Sequence, residues 1–198
     1  MLEFRVGNMR CRVSLLFPAL VTALLLCQPE GLAATCLLAS VIHEGGHLLA
    51  MLMLRVPPAD CVLGAFGLRM RLGQHLTGYG RNIWIALAGP LANGLAAAVL
   101  LWAGSPQTAA VHLLLAVLNL LPAAVLDGGE VLRCCLCLLG LERVTDAVLR
   151  CSTALVLLPM TAISLWLFVR GGGNPTLLII SVYLAATAFF SDKNEKTS

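Results

Sequence analysis

His43-Glu44-Gly45-Gly46-His47 stands inside an apolar run, residues 31–54, where three ionisable side chains are flanked by Leu, Ala, Ile, Val and Met. On a helix, two histidines four positions apart lie one turn apart on the same side, so both imidazoles can face one metal ion. Glu44 lies about 60° around the helix from His47, within reach of a water held by that ion. Ionisable groups at membrane depth need compensating partners, so the motif implies a buried metal site rather than an aqueous cleft.

Composition points the same way. The chain has 198 residues, 59% of them hydrophobic and 12% charged, with a mean hydropathy of +0.91. Soluble domains average about 45–50% apolar and about 25% charged residues. Candidate spans fall at 13–27, 32–54, 83–103, 108–126, 147–169 and 175–190, several of them near the ~20 residues needed to cross a bilayer and the first and last shorter. Six spans would leave twelve of the thirteen basic residues on one face, with Arg170 alone opposite. By the positive-inside rule both termini are then cytoplasmic. The dispersed arginines argue against a nucleic-acid surface, which needs a concentrated basic patch. Residues 1–34 also fit the plan of a signal peptide, although Pro29-Glu30 interrupts the approach to a cleavage site.

A catalytic zinc site takes three protein ligands, so a second element must supply the third. Asn119-Leu120-Leu121-Pro122-Ala123-Ala124-Val125-Leu126-Asp127-Gly128-Gly129 holds the only acid within the long hydrophobic stretches of the second half. Asp127 is therefore the candidate. Pro122 cannot donate a backbone hydrogen bond, which breaks the helix before Asp127.

These two elements together resemble the site-2 protease family of intramembrane zinc metalloproteases. Its catalytic helix reads H-E-x-x-H, and its third ligand is the Asp of an N-x-x-P-x-x-x-x-D-G segment. Ala88-Gly89-Pro90-Leu91-Ala92-Asn93 is similar to a glycine- and asparagine-bearing stretch on the intervening helix of that family, so the likeness covers roughly residues 31–135. It implies one integral membrane protease domain over residues 1–198, with the core at 31–135 and further helices at 147–190. It also implies one Zn²⁺ on His43, His47 and Asp127. The compact chain, without an inserted PDZ domain, is most like the sporulation branch, although that branch's usual C-terminal CBS domain has no counterpart here. That likeness implies a bacterial cytoplasmic membrane and regulated intramembrane proteolysis of a sigma-factor or other membrane-tethered transcription-factor precursor, with regulatory membrane proteins as further partners.

The expected fold class is all-α and polytopic, with a short β-hairpin between the second and third spans. Cys61 to Leu72 carries that hairpin, alternating apolar and polar residues in its second half, with glycines at the bend. Glycines 64 and 67 equally punctuate a plain connecting loop, and the resemblance favours the hairpin. An unpaired hairpin edge could receive an extended substrate as an added strand. Gly64, Phe66, Gly67, Asn93 and Asn119 are the candidate substrate-binding residues. For the two asparagines, interhelical hydrogen bonding is the simpler account. His75 and His112 take no role, His112 being placed near a span start where an imidazole reaches interfacial water. Of the eight cysteines, Cys27, Cys36 and Cys151 lie in or at spans and read as small buried apolar groups, and Cys134-Cys135-x-Cys137 spreads too widely around a helix to hold one ion, which points to a structural or lipid-facing role.

The chemistry follows from the donors. Two imidazoles and one carboxylate leave zinc a position for water, and Glu44 serves as general base. Zn²⁺ with Asp127 and Glu44 both ionised sums to zero charge, which lowers the cost of burial. The alternative function is a metal-binding membrane transporter or an inactive relative. Glu44 separates the two, because binding an ion does not need it and hydrolysis does.

Overall fold

The computed structural model describes residues 31–56 and 78–170 in full, and the backbone of four strands at 2–6, 9–13, 58–64 and 67–72. The described helices are α1 (Leu32–Met53), α2 (Tyr79–Trp102), α3 (Pro106–Asn119), α4 (Asp127–Leu138) and α5 (Glu142–Val169). Three of them, α1, α2 and α5, with 22, 24 and 28 residues, are long and apolar enough to cross a membrane. The expected spans at 13–27 and 175–190 lie outside the described residues, apart from Val13, which ends a strand.

The expected span at 108–126 is corrected. Helix α3 stops at Asn119 after 14 residues. At 1.5 Å per residue it covers only about 21 Å, short of a ~30 Å hydrocarbon layer. The cause is local. Pro122 drives the preceding residue out of helical conformation, and a non-helical turn over residues 120–126 separates α3 from α4.

Helix ends follow from backbone chemistry. After α2 and α4 the chain turns through Gly104 (φ 78°) and Gly140 (φ 73°), and the next amide reaches back to close the end, Ser105 to the Leu100 carbonyl and Leu141 to that of Leu136, each at 2.9 Å. Helix α1 closes in the same way, with Val56 N–H bonded to Met51 O at 2.9 Å. Here the left-handed position is Arg55 (φ 55°), a residue that pays for its Cβ in that conformation. Met51 and Val56, brought together by the turn, form a small apolar cluster with Ile85 of α2.

The strands β1 (Leu2–Val6), β2 (Met9–Val13), β3 (Pro58–Gly64) and β4 (Gly67–Leu72) form one sheet in the order β1-β2-β3-β4. The outer pairs are antiparallel, and β2 runs parallel to β3 with Arg10 opposite Asp60. The first two strands were not foreseen. Their signal is legible afterwards: Leu-Glu-Phe-Arg-Val and Met-Arg-Cys-Arg-Val alternate at period two across Gly7-Asn8.

The chain divides into two compact units, residues 1–118 and 119–198. In the first, α1 and α2 pack closely. Gly46 makes this possible, because a Cβ there would meet the Ala88 carbonyl at 2.5 Å and the Ala92 methyl at 2.8 Å. In the second, the Ala124 N–H is held by Thr153 Oγ1 of α5 at 2.8 Å, which ties the turn before Asp127 to a long helix. Gly128 and Gly129 lie against the backbone of Leu120, Leu121, Ala123 and Ala124, closer than any side chain allows.

The distribution of side chains inverts that of a soluble bundle. Buried stripes run Ala39, His43, His47, Met51 on α1, Gly89, Asn93, Ala97 on α2 and Ala109, His112, Ala116 on α3. Large apolar residues such as Val41, Leu49, Trp84, Leu95, Leu155 and Leu158 are exposed. Lipid accepts that surface, and close packing of small residues with hydrogen-bonded polar groups holds the interior. The protein is an integral membrane protein.

Candidate metal centre

His43 and His47 lie one turn apart on the buried face of α1. Their rings meet edge to face with centroids 4.7 Å apart, and the two Nε2 atoms are separated by 3.2 Å. Two nitrogens each about 2.0–2.1 Å from one ion at a tetrahedral angle lie about 3.3 Å apart, so this spacing fits a shared zinc. His47 Nδ1–H donates to the Ile85 carbonyl of α2 at 2.7 Å. A carbonyl can only accept, so His47 carries its proton on Nδ1 and presents a lone pair at Nε2, the form a metal needs.

Space for the two rings comes from Gly89. A Cβ at that position would collide with both imidazoles, His47 most closely. This gives a physical reason for the glycine in the Ala88–Asn93 stretch. Pro90, one residue on, cannot donate to the Ala86 carbonyl and interrupts the helical ladder beside the site.

Asn93 is fully buried, with its amide between two histidines. One end lies 3.3 Å from His43 Nδ1 and the other 3.0 Å from His112 Nδ1. The interhelical bonding foreseen for Asn93 is therefore present within the first unit. His112 corrects the sequence argument. It is 1% exposed and engaged by Asn93, not at interfacial water. Its placement in the middle of a stripe of alanines at 109 and 116 was the available signal.

The structure thus brings His43, His47, Gly89, Asn93 and His112 together in the first unit. Glu44 follows His43 on α1 and is half-buried. Gly64 and Gly67 face each other at the closing pair of β3 and β4, and Phe66 lies outside the described residues. Asn119 is the last residue of α3. Asp127 is the first residue of α4, half-buried, where its negative charge suits the positive end of the helix.

Further along α4, Glu130 accepts two hydrogen bonds from Arg133, at 2.9 and 2.8 Å, and one from Cys134 Sγ at 3.4 Å. Burial, then the neighbouring Glu130 charge, pushes the Cys134 thiol up to about 12. Such a thiol is protonated and inert at neutral pH. Cys134, Cys135 and Cys137 form no disulfide.

No protein-family model matches the chain, and neither does any curated protein. Among solved structures, the site-2 protease from Methanocaldococcus jannaschii matches over 94% of this chain and 93% of its own, with a TM-score of 0.62 and 19% sequence identity. The chain shares the fold of a site-2 protease. At that identity the likeness speaks for architecture alone.

Proposed function

We propose that this chain is an intramembrane zinc metalloprotease in which His43, His47 and Asp127 hold one Zn²⁺ and Glu44 is the general base. The observation that carries the proposal is the pair of Nε2 atoms 3.2 Å apart, with Glu44 adjoining, in a chain of site-2 protease fold. Two imidazoles and one carboxylate are a donor set that can hold a metal ion and leave a fourth position open. Bound there, zinc would supply a Lewis acid that lowers the pKa of a ligated water toward neutrality. Glu44 takes the proton of the attacking water and delivers it to the departing amine. Ile85 orients His47 through its carbonyl, and Gly89 keeps the volume of the two rings clear.

The substrate we propose is a membrane-tethered protein segment. A transmembrane helix conceals its carbonyls in i to i−4 bonds, so it must unwind before cleavage. Among the described strands β4 has a neighbour on one side only, and its outer edge could hold the unwound segment through main-chain hydrogen bonds. A transcription-factor precursor of the sporulation type is the narrower substrate proposal, and it rests on the sequence resemblance alone.

The test separates binding from catalysis. In Glu44→Gln, purified protein should keep its zinc, while cleavage of a co-expressed panel of membrane-tethered transcription-factor precursors falls by about 10²–10⁴-fold. Replacing His43, His47 or Asp127 by Ala should strip the metal. Wild-type cleavage in Glu44→Gln would sink the hydrolytic mechanism and leave a metal-holding membrane protein. Full zinc occupancy in Asp127→Ala would show the third ligand to be another group.

A further inference from the structure

We infer that His112, acting through Asn93, is a positioning residue that sets the tautomer of His43 and thereby its capacity to bind zinc. The inference rests on the proposed zinc site. It starts from the line of contacts His112 Nδ1, Asn93 amide, His43 Nδ1, His43 Nε2, His47 Nε2, His47 Nδ1 and Ile85 carbonyl, whose links measure 3.0, 3.3, 3.2 and 2.7 Å. Every side chain in this line is buried.

A neutral imidazole has one N–H and one lone pair, and an amide has one donating and one accepting end. The line therefore admits two orders. In the first, His112 Nδ1–H donates to Asn93 Oδ1, and Asn93 Nδ2–H donates to His43 Nδ1. His43 then carries its own proton on Nε2 and donates it to the His47 Nε2 lone pair. The structure has this orientation of the amide, with its nitrogen toward His43. In this order His43 has no lone pair left at Nε2 for a metal.

The second order is the one that zinc binding requires. His43 carries its proton on Nδ1 and donates it to Asn93 Oδ1, so Nε2 is free to ligate. The amide has made a half-turn, and its Nδ2–H must find an acceptor, which is His112 Nδ1 with the ring proton moved to Nε2. Each of the two rings moves one proton between its own nitrogens, so charge and proton count are unchanged. The distances of 3.0 and 3.3 Å serve either order. Metal uptake thus reverses the polarity of a buried relay, and His112 is the group that accepts the reversal.

Zinc affinity measured by chelator competition tests the relay. His112→Leu keeps an apolar side chain of comparable bulk but removes the acceptor for Asn93, and it should weaken zinc binding by about 10-fold or more, as loss of outer hydrogen-bond partners does. Asn93→Asp in the same protein should restore affinity, because a carboxylate accepts from His43 Nδ1–H without needing His112. A role in packing alone would not be rescued this way. Imidazole ¹⁵N shifts of the zinc-loaded wild type give a check without substitution: Nδ1 protonated on His43 and unprotonated on His112 supports the relay. A protonated Nδ1 on His112 overturns it, as does undiminished affinity in His112→Leu. A wild-type protein that takes up no zinc overturns the metal site and the relay with it.

Discussion

At the residue scale, the site depends on what is missing from position 89 as much as on what its histidines supply. The virtual Cβ of Gly89 falls on the His47 ring and crowds His43, and rings held at two fixed points cannot step aside. Gly89→Ala should therefore lower zinc affinity by about 5- to 150-fold, in line with the roughly 1–3 kcal/mol cost of overpacking a well-packed site. Zinc titration checks the affinity, and circular dichroism should show unchanged helix content. An alanine variant that binds zinc like the wild type would mean that the rings are free to move. Glu44 shows the opposite case. Its place was legible from sequence, since H-E-x-x-H sets an acid beside two histidines of one helix face.

At the element scale, helix α1 carries the motif and also ends in an unfavourable residue. Arg55 occupies the left-handed position that glycine fills after α2 and α4. An L-residue there costs roughly 1–2 kcal/mol relative to glycine, partly offset by the greater freedom of glycine when unfolded. Arg55→Gly should thus raise stability by about 0.5–1 kcal/mol, read as a higher thermal midpoint in detergent. A lower midpoint would show that the guanidinium makes contacts worth more than the strain. The span expected at 108–126 failed at this same scale. Hydropathy counts only apolar residues along the run, whereas the break at Pro122, legible in the same residues, divides it between α3 and the turn leading to α4.

At the scale of the whole molecule, basic residues at the ends of α1 and α2 give the orientation its test. Arg55 and Arg81 flank the segment between these helices, whereas Gly104 and Ser105 stand at the other end of α2. The positive-inside rule puts residues 55–81 in the cytoplasm and the turn at 104–105 outside. In a cysteine-free background, Ser105→Cys should react with an impermeant maleimide on intact cells, while a single native Cys61 should stay protected. Labelling of Cys61 from outside would invert the arrangement and place the sheet on the opposite face.

The local features of this protein were fixed by its sequence, and the pairings between helices were not. The spacing of His43, Glu44 and His47, the apolar lengths of α1, α2 and α5, and the helix break near Pro122 are properties of neighbours along one chain. They follow from 3.6 residues per turn and the missing proline N–H. The acceptor for His47 is a backbone carbonyl at Ile85, and a carbonyl has no letter in the sequence. His112 reaches Asn93 across 19 positions and, through it, His43 across another 50. Which of these groups meet is decided by how closely α1 and α2 approach at Gly46 and where α3 presents its buried stripe, and only tertiary packing sets those distances.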